Sequence, residues 1–512
     1  MSNHSEFVDY EPVTRARRAD LRMNETAATA SSWPSHESAL AEPGTERSEV
    51  ERSIVSAATD AEKRSWILRR GHSLSYLGLF LFTAVLYFRP YELIPSLSAF
   101  SSMAFVIALL TLAVYFPSQL ALEGNLTARP REVNLLMLLC LAALLSIPLA
   151  INRTEAWEGF SGNFVKVITM FIVMVNVVRT ERRLKWMIFI ALAISCVMSI
   201  SAISNYAMGN LTVDGYRVDG YKVEGTRGNL FGNPNDMALH LVTMVPLALA
   251  FFLSRRDPLR KLLYLLCAIL MVGGIAVTFS RSGFLGLMSA IAVMAWKIGR
   301  RRRLAVILSI FIFVVGFVVL APSGYSNRLG SIVDQSRDPV HSSSARQALL
   351  FKSLVVAAAN PLLGVGMNNF HILSIHEAVT HNAYTQVAAE MGLTALVLYV
   401  LFIITPIKKL RQIENETFTT RAGSRFYYLA VGLQASLFGY IVSSFFASVA
   451  YQWYVYYLVG YAVALRRIYA AAARDVNQTE AHIKDAQSVG KNASERRQER
   501  SAEAELAAAH RL

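Results

Sequence analysis

NPLLGVG (Asn360–Gly366) and THNAYTQVAAEMG (Thr380–Gly392) lie in one long polar interval, residues 325–392, of an otherwise apolar chain. Strongly apolar segments flank this interval on both sides. A polar connection of this length between membrane spans is seldom a mere linker, and loops on a rigid scaffold often carry binding and catalytic groups. We therefore expect the interval to be the working part of the molecule, held at the membrane surface by helices.

The composition indicates a membrane protein. Of the 512 residues 54% are hydrophobic and 17% are charged, whereas soluble domains are about 25% charged. Apolar runs of 18 or more residues recur, which is typical of transmembrane helices. The net charge of +14 does not point to nucleic acid, because cytoplasmic loops of membrane proteins collect Lys and Arg. The three cysteines lie in apolar runs, so neither a disulfide framework nor a zinc site is expected.

Twelve apolar segments define the expected architecture. They do not alternate as barrel strands do, so helices must satisfy the backbone in lipid. The fold class is an all-α polytopic membrane protein with about 12 transmembrane helices. Residues 1–65 are expected to be a disordered tail, 66–470 the transmembrane domain, and 471–512 a second tail; no cleavable signal peptide is evident. The segments lie near residues 74–88, 97–116, 133–151, 160–178, 184–206, 237–254, 261–279, 282–296, 304–321, 391–407, 426–447 and 452–465.

The distribution of Lys and Arg predicts the orientation. Cations concentrate in every second connection and beside both terminal spans, which places these connections and both termini in the cytoplasm. The large loop 322–390, the loop 207–236 and the FSRSG turn (Phe279–Gly283) then lie outside.

The loop 207–236 contains three related pentads, VDGYR, VDGYK and VEGTR. Asp-Gly favours tight turns, and replication slippage in a tolerant loop explains the first two pentads equally well. Arg227 ends the third and leads into GNLFGNPND. We expect Asn235 or Asp236 to cap a helix that begins near Met237.

Three arginines, Arg227, Arg281 and Arg346, come from different external segments. An arginine at a helix edge is costly unless it is solvated or paired, which makes it a functional candidate. Snorkelling remains an alternative for Arg281, and an ordinary surface position for Arg346. Guanidinium groups bind phosphate bidentately, and a membrane pyrophosphate needs such neutralisation most as a leaving group. The sequence has no nucleotide-binding fingerprint, so a lipid is the expected phosphate donor.

His381 is the strongest acid–base candidate. Glu377 would orient its ring if the segment were helical, since the two residues are four apart. Glu390 would lie on the opposite helix face, and we expect it to hold a backbone or arginine partner. No metal site is expected, because HEAVTH has one residue too many for the HExxH pairing and three histidines spaced by five do not share a helix face.

RGNLFGNPND, FSRSG, the Arg346 run into NPLLGVGMNNF, and HNAYTQVAAEMG occur in this order between residues 160 and 405. In this the chain resembles the O-antigen ligase and O-antigen polymerase family of bacterial membrane glycosyltransferases. FRPYELIP (Phe88–Pro95) is similar to the branch described as O-glycosylation ligases associated with exosortase systems.

The resemblance implies a C-type glycosyltransferase-like helical fold in the bacterial cytoplasmic membrane and inverting, metal-independent transfer. The donor would be an undecaprenyl-pyrophosphate-linked glycan, and the acceptor a glycan, lipid or protein; no cofactor is implied. His381, Arg281 and Arg346 would be catalytic. The substrate-binding residues would be Arg227, Asn233, Asn235, Asn382 and Glu390.

Three functions remain open from the sequence. The first is a glycan ligase, or a polysaccharide polymerase of the same family with the same donor chemistry. The second is a transporter of lipid-linked glycan, although carriers usually bind substrate near the midplane through charges inside the spans. The third is a non-enzymatic scaffold of an envelope assembly complex.

Overall fold

The computed structural model describes most of the apolar part of the chain. It covers residues 72–88, 102–210, 233–300, 303–320, 342–374, 377–419 and 425–474, with residues 322, 325 and 330 between them. The chain divides into two units, Met1–Leu465 and Arg466–Leu512; the helices and contacts below belong to the first unit unless stated. The predicted tail 1–65, the tandem pentads and Arg227 lie outside the described residues.

The regular elements in these ranges are all helical, which confirms the predicted class. A π-helical turn, Phe160–Phe164, joins α4 to α5, and the last helix passes from the first unit into the second. The helices are α1 (His72–Phe88), α2 (Met103–Glu123), α3 (Arg131–Ser146), α4 (Arg153–Gly159), α5 (Val165–Val177), α6 (Glu181–Ala207), α7 (Pro234–Ser254), α8 (Pro258–Val277), α9 (Arg281–Ile298), α10 (Arg303–Leu320), α11 (Ser342–Ala359), α12 (Phe370–Leu373), α13 (Ala383–Glu416), α14 (Arg425–Ser444) and α15 (453–474).

Each of the twelve predicted apolar segments falls on a helix. In the described part of the chain, eight helical stretches are long and apolar enough to cross a membrane, and α1 and residues 306–319 of α10 form shorter apolar helices. The chain is therefore a multi-pass membrane protein, while the predicted count of twelve spans is not confirmed. Among the helix starts, the largest difference is in α13, which begins at Ala383 rather than near residue 391.

Helices α7, α9 and α14 form the centre of the bundle. Buried residues make up 78% of the apolar window of α7, against 22% for α2. Small residues allow the close approach of these helices, as is common inside membranes. A Cβ at Gly432 of α14 would lie 2.7 Å from the Ala250 Cβ of α7, and one at Gly286 of α9 would collide with Ser443 of α14.

A buried ion cluster closes one end of this centre. Glu414 of α13 is 0% exposed. Its Oε2 lies 2.7 Å from Lys297 Nζ and accepts a 3.0 Å hydrogen bond from Gln434 Nε2, while its Oε1 pairs with Arg300. The cluster joins the C-terminal part of α9 to α13 and α14. The opposite ends of α9 and α13 carry Arg281 and His381, so these two residues lie at the other end of the bundle.

Glu414→Gln is expected to lower the free energy of unfolding by about 3 kcal/mol, because it leaves two cations without their buried counterion. Chemical or thermal unfolding of the purified protein in detergent measures the change. Glu416→Gln is the matched control: Glu416 is exposed and accepts only a 3.2 Å hydrogen bond from Gln412 in this structure. Equal stability of the two variants would contradict the assignment of Glu414 as the centre of the cluster.

Candidate functional site

The N-terminus of α7 is capped by Asn233. Its side chain accepts a 2.9 Å hydrogen bond from the backbone N–H of Asn235, and Pro234 occupies the first helical position. Proline is favoured there because it has no N–H and a fixed φ. The expectation that Asn235 or Asp236 caps a helix beginning near Met237 is therefore wrong by one turn.

The FSRSG turn joins α8 to α9 beside this terminus. Phe279 has a φ of 51°, a left-handed conformation, and Ser280 caps α9 by accepting a 3.2 Å hydrogen bond from Gly283 N–H. The Ser280 hydroxyl also donates to Asn235 Oδ1 at 2.9 Å. Arg281 is the first residue of α9 and is half-buried. The turn thus sets the N-termini of α7 and α9 next to each other, with Arg281 between solvent and the bundle.

The N-terminus of α13 carries the THNAY motif. Asn382 caps the helix, with Oδ1 accepting from Tyr384 N–H at 2.9 Å and Thr385 N–H at 3.1 Å. Asn382 is 2% exposed, and its Nδ2 has no hydrogen-bond partner in the described structure. The cap therefore keeps a buried donor unused.

His381 precedes α13 and is not helical. Its φ is 52°, and that of Glu377 is 53°, in a segment without helical geometry from residue 378 to 382. The helical alignment of Glu377 with His381 is therefore wrong. Instead, Ser448 Oγ accepts a 2.7 Å hydrogen bond from His381 N–H and lies 2.9 Å from Thr380 Oγ1. The sequence around Ser448 has no pattern that marks this role.

The end of α14 connects the two regions. Ser443 Oγ donates to the Ser282 carbonyl of α9 at 3.2 Å. The neighbouring Ser444 Oγ donates to Tyr384 Oη at 3.2 Å, and Tyr384 Oη donates to the Ile441 carbonyl at 3.0 Å. The N-termini of α9 and α13 thus both contact residues 441–444, and the N-terminus of α7 adjoins that of α9 through the Ser280–Asn235 hydrogen bond. Helix N-termini carry partial positive charge and bind anions, so this end of the bundle suits an anionic ligand.

Arg346 on α11 reaches the same region. Leu349 and Val356 of α11 pack in one buried cluster with Ala388 and Ala389 of α13, which fixes α11 against the His381 end of the bundle. Burial lowers the pKa of His381, and the nearby Arg346 guanidinium lowers this pKa further. The structure therefore brings together two of the predicted catalytic residues, and both are half-buried.

Glu390 has a different environment. It is 4% exposed, and its Oε2 accepts a 2.8 Å hydrogen bond from Tyr451 Oη. The backbone of Asn368 and Phe370 also faces the carboxyl group. The backbone partner expected for Glu390 is thus present, together with a tyrosine that the sequence did not indicate.

NPLLGVG docks against a break in α13. Gly392 has a φ of 89° and ψ of 172°, which interrupts the helix. The backbone groups freed there bond to the motif: Val365 N–H donates to Ala389 O and Gly366 N–H to Glu390 O, both at 2.9 Å, and Leu393 N–H donates to Pro361 O at 2.7 Å. The same loop reaches the α3–α4 connection, where Asn152 N–H donates to Asn369 Oδ1 at 2.6 Å.

The other histidine described in this segment, His371, belongs to a separate contact. Its Nε2 lies 3.2 Å from Glu155 Oε1 and its Nδ1 lies 2.7 Å from the Asn368 carbonyl. His376 is outside the described residues. Among the residues that are described, no three His, Cys, Asp or Glu side chains are grouped as metal ligands.

The fold and site define a multi-pass helical membrane protein with imidazole, guanidinium and helix N-termini collected at one end of its bundle. A family model described as O-antigen ligase matches residues 266–400, a range that includes Arg281, Arg346, NPLLGVG and His381. Over these residues, less than half of its length, the chain is similar to O-antigen ligases. It matches no curated protein and no solved structure. This similarity supports a ligase- or polymerase-like role in membrane glycan processing.

Gly392→Ala is expected to destabilise the protein by about 2 kcal/mol or more. The new Cβ would collide with the Leu362 carbonyl, and an L-residue at this φ is itself strained. Gly316→Ala in α10 is the control, because no atom lies within 4 Å of its added Cβ and alanine is the better helix former. The measurement is the free energy of unfolding of the two variants in detergent. Equal values would show that the interruption of α13 at residue 392 does not require glycine.

Proposed function

We propose that the protein transfers a glycan from an undecaprenyl-pyrophosphate carrier to an acceptor hydroxyl at the outer face of the bacterial cytoplasmic membrane. The observation that carries this proposal is the half-buried His381 beside Arg346, at the bundle end where three helix N-termini meet. A base, fixed cations and oriented backbone amides are the groups that an acceptor hydroxyl and a departing diphosphate require.

The leaving group determines the roles of the cations. When the bond between the anomeric carbon and the pyrophosphate oxygen breaks, negative charge builds on that oxygen. Arg281, at the start of α9, and Arg346, on α11, neutralise this charge, since guanidinium groups bind phosphate oxygens bidentately. Arg227 is proposed to join them. Because these groups and the helix N-termini supply the positive charge, the proposed transfer needs no metal ion.

His381 is proposed to accept the proton of the acceptor hydroxyl. Its lowered pKa keeps the imidazole neutral near pH 7, the form that a general base needs. The acceptor oxygen then attacks the anomeric carbon from the face opposite the pyrophosphate. The new glycosidic bond forms as the old bond breaks, so the anomeric configuration inverts.

Three asparagines are proposed to bind the substrate. Asn382 keeps its Nδ2 available after capping α13, and an unused buried donor is costly unless a ligand satisfies it. Asn233 and Asn235 form the start of α7 beside the FSRSG turn. Tyr451 and the backbone of Asn368 and Phe370 already surround the carboxyl group of Glu390. Glu390 is therefore proposed to contribute to substrate binding indirectly, by positioning the loop that contains Asn368 and Phe370.

The proposed orientation follows the charges. Lys297 and Arg300 end α9 at the same end of the bundle as Glu414, opposite the candidate site. Placing the cationic end in the cytoplasm, as such residues usually are, puts the site outside. Residues 66–470 then form the transferase domain with its external segment 322–390, and the tails 1–65 and 471–512 are cytoplasmic.

His381→Ala and Arg281→Ala are each expected to reduce product at least about 100-fold, the usual effect of losing a general base or a charge-stabilising group. The assay is an immunoblot of glycan-bearing product in cells with matched protein abundance. His371→Ala is the control, because His371 contacts Glu155 instead of the site. Full activity of both test variants would contradict the assignment of the site. If the purified protein moved the lipid-linked donor across liposome membranes without consuming it, the transporter alternative would be favoured.

Arg346→Gln is expected to move the acidic limb of the kcat/KM profile to higher pH. Arg346 lowers the pKa of His381, so its removal raises that pKa, and the neutral base is reached only at higher pH. The measurement is release of polyprenyl pyrophosphate from lipid-linked donor by reconstituted protein. Lys352→Gln makes the same charge change on the exposed side of α11 and should leave the limb in place. If the acidic limb of the Arg346→Gln profile did not move, Arg346 would not influence the pKa of His381.

A further inference from the structure

A cavity lies at the cationic end of the bundle, away from the candidate site. Its volume is about 600 Å³, and it is formed by the first turns of α6 and α8, the α7–α8 connection and the start of α14. The lining residues are Glu181, Arg182, Lys185, Trp186, Phe189, Arg255, Arg260, Leu263, Tyr264 and Arg425.

The charge of this cavity is strongly positive. Five of its lining residues are cations and one is an acid. Lys185 and Arg425 both pair with that acid, Glu181, the second at 2.9 Å. In the part of the chain that the structure describes, no carboxylate lies within ion-pair distance of Arg182 or Arg255. The Arg255 Nε is buried without a hydrogen-bond partner. A buried guanidinium nitrogen without an acceptor is costly, and an anionic ligand would supply the acceptor.

The wall beside these cations is apolar and open. Trp186 is 46% exposed, Phe189 40% and Leu263 50%. All three lie within candidate membrane spans, on α6 and α8. A ligand in this cavity therefore meets cationic groups at one end and an aromatic and aliphatic surface at the other.

We propose that the cavity binds the headgroup of an anionic phospholipid, with an acyl chain lying against Trp186, Phe189 and Leu263. A phosphate diester would accept a hydrogen bond from the buried Arg255 Nε and pair with the exposed Arg182, and the apolar wall matches the chain that continues from it. Basic pockets between spans at the cationic end are known to select anionic lipids in this way. A free phosphate ion would leave the apolar wall uncovered, and a zwitterionic headgroup would bring a cation into a positive site.

Such a lipid would connect parts of the bundle that reach the candidate site. It would hold the starts of α6 and α14 against the α7–α8 connection, where Glu181 and Arg425 already pair. The far end of α14 carries Ser443 and Ser444, which contact the N-terminal turns of α9 and α13. Lipid binding is therefore expected to stabilise the whole bundle.

Native mass spectrometry of the full chain, titrated with phosphatidylglycerol or phosphatidylcholine of equal chain length, tests the proposal. Arg182→Gln/Arg255→Gln is expected to weaken phosphatidylglycerol binding about 25-fold, since each surface Lys or Arg contributes a factor of about five. Lys408→Gln/Arg411→Gln removes two exposed cations of α13 that do not line the cavity and should change binding less than twofold. Phosphatidylglycerol should also raise the unfolding temperature more than phosphatidylcholine.

Three outcomes would overturn the proposal: equal losses in both double variants, equal binding of the two lipids, or complete displacement by glycerol phosphate at similar concentration. The last outcome would identify a soluble phosphate instead. A second measurement needs no variant. A diazirine in the acyl chain of phosphatidylglycerol should label the peptides that contain Trp186 and Leu263. Equal labelling of these peptides and of the peptide that contains the exposed Leu109 and Leu110 of α2 would contradict a defined site.

Discussion

Backbone hydrogen bonds that a helix loses inside a membrane protein must be made somewhere else, because lipid offers no replacement. This constraint governs the centre of the structure. Where α13 breaks at Gly392, the backbone groups from Ala389 to Leu393 pair with residues 361–366. The loop that makes these bonds also contacts the α3–α4 connection through Asn369. One interruption of one helix thus fixes the position of the long segment that precedes it in the chain, including α11 with Arg346.

The candidate site is built mainly from the ways in which helices begin. Asn233, Ser280 and Asn382 each cap a helix with a side-chain oxygen. Two of these capping residues also bond to a neighbouring polar side chain: Ser280 Oγ donates to Asn235 Oδ1, and the Asn382 carbonyl accepts from Thr380 Oγ1. Capping therefore does two things at once. It satisfies the first backbone amides of each helix and brings three positive dipole ends, with Arg281 and His381 beside them, to one end of an apolar bundle.

Hydropathy predicted the positions of the helices because lipid-facing and core-facing apolar residues produce the same signal. It missed the first turns of α13, since residues 383–390 are buried by other parts of the protein: Tyr384 bonds to Ile441, Gln386 to Ala450, and the backbone of Ala389 and Glu390 to NPLLGVG. The cap of α7 was misplaced although Asn-Pro favours a proline at the first helical position. Ser448 and Tyr451 were missed for another reason: their contacts with His381 and Glu390 span 67 and 61 residues, and no local pattern records such a pairing.

The two serines at the end of α14 have a consequence for how the site moves. Ser443 bonds to the turn that carries Arg281, and Ser444 bonds to the helix start beside His381. Adjacent residues of a helix are held at a rise of about 1.5 Å. The distance between the turn that carries Arg281 and the helix start beside His381 is thus set by two adjacent residues of one helix instead of by two independent loops. Any displacement of α14 would therefore act on the arginine-bearing turn and on the Tyr384 hydroxyl beside His381 together, and not on one of them alone.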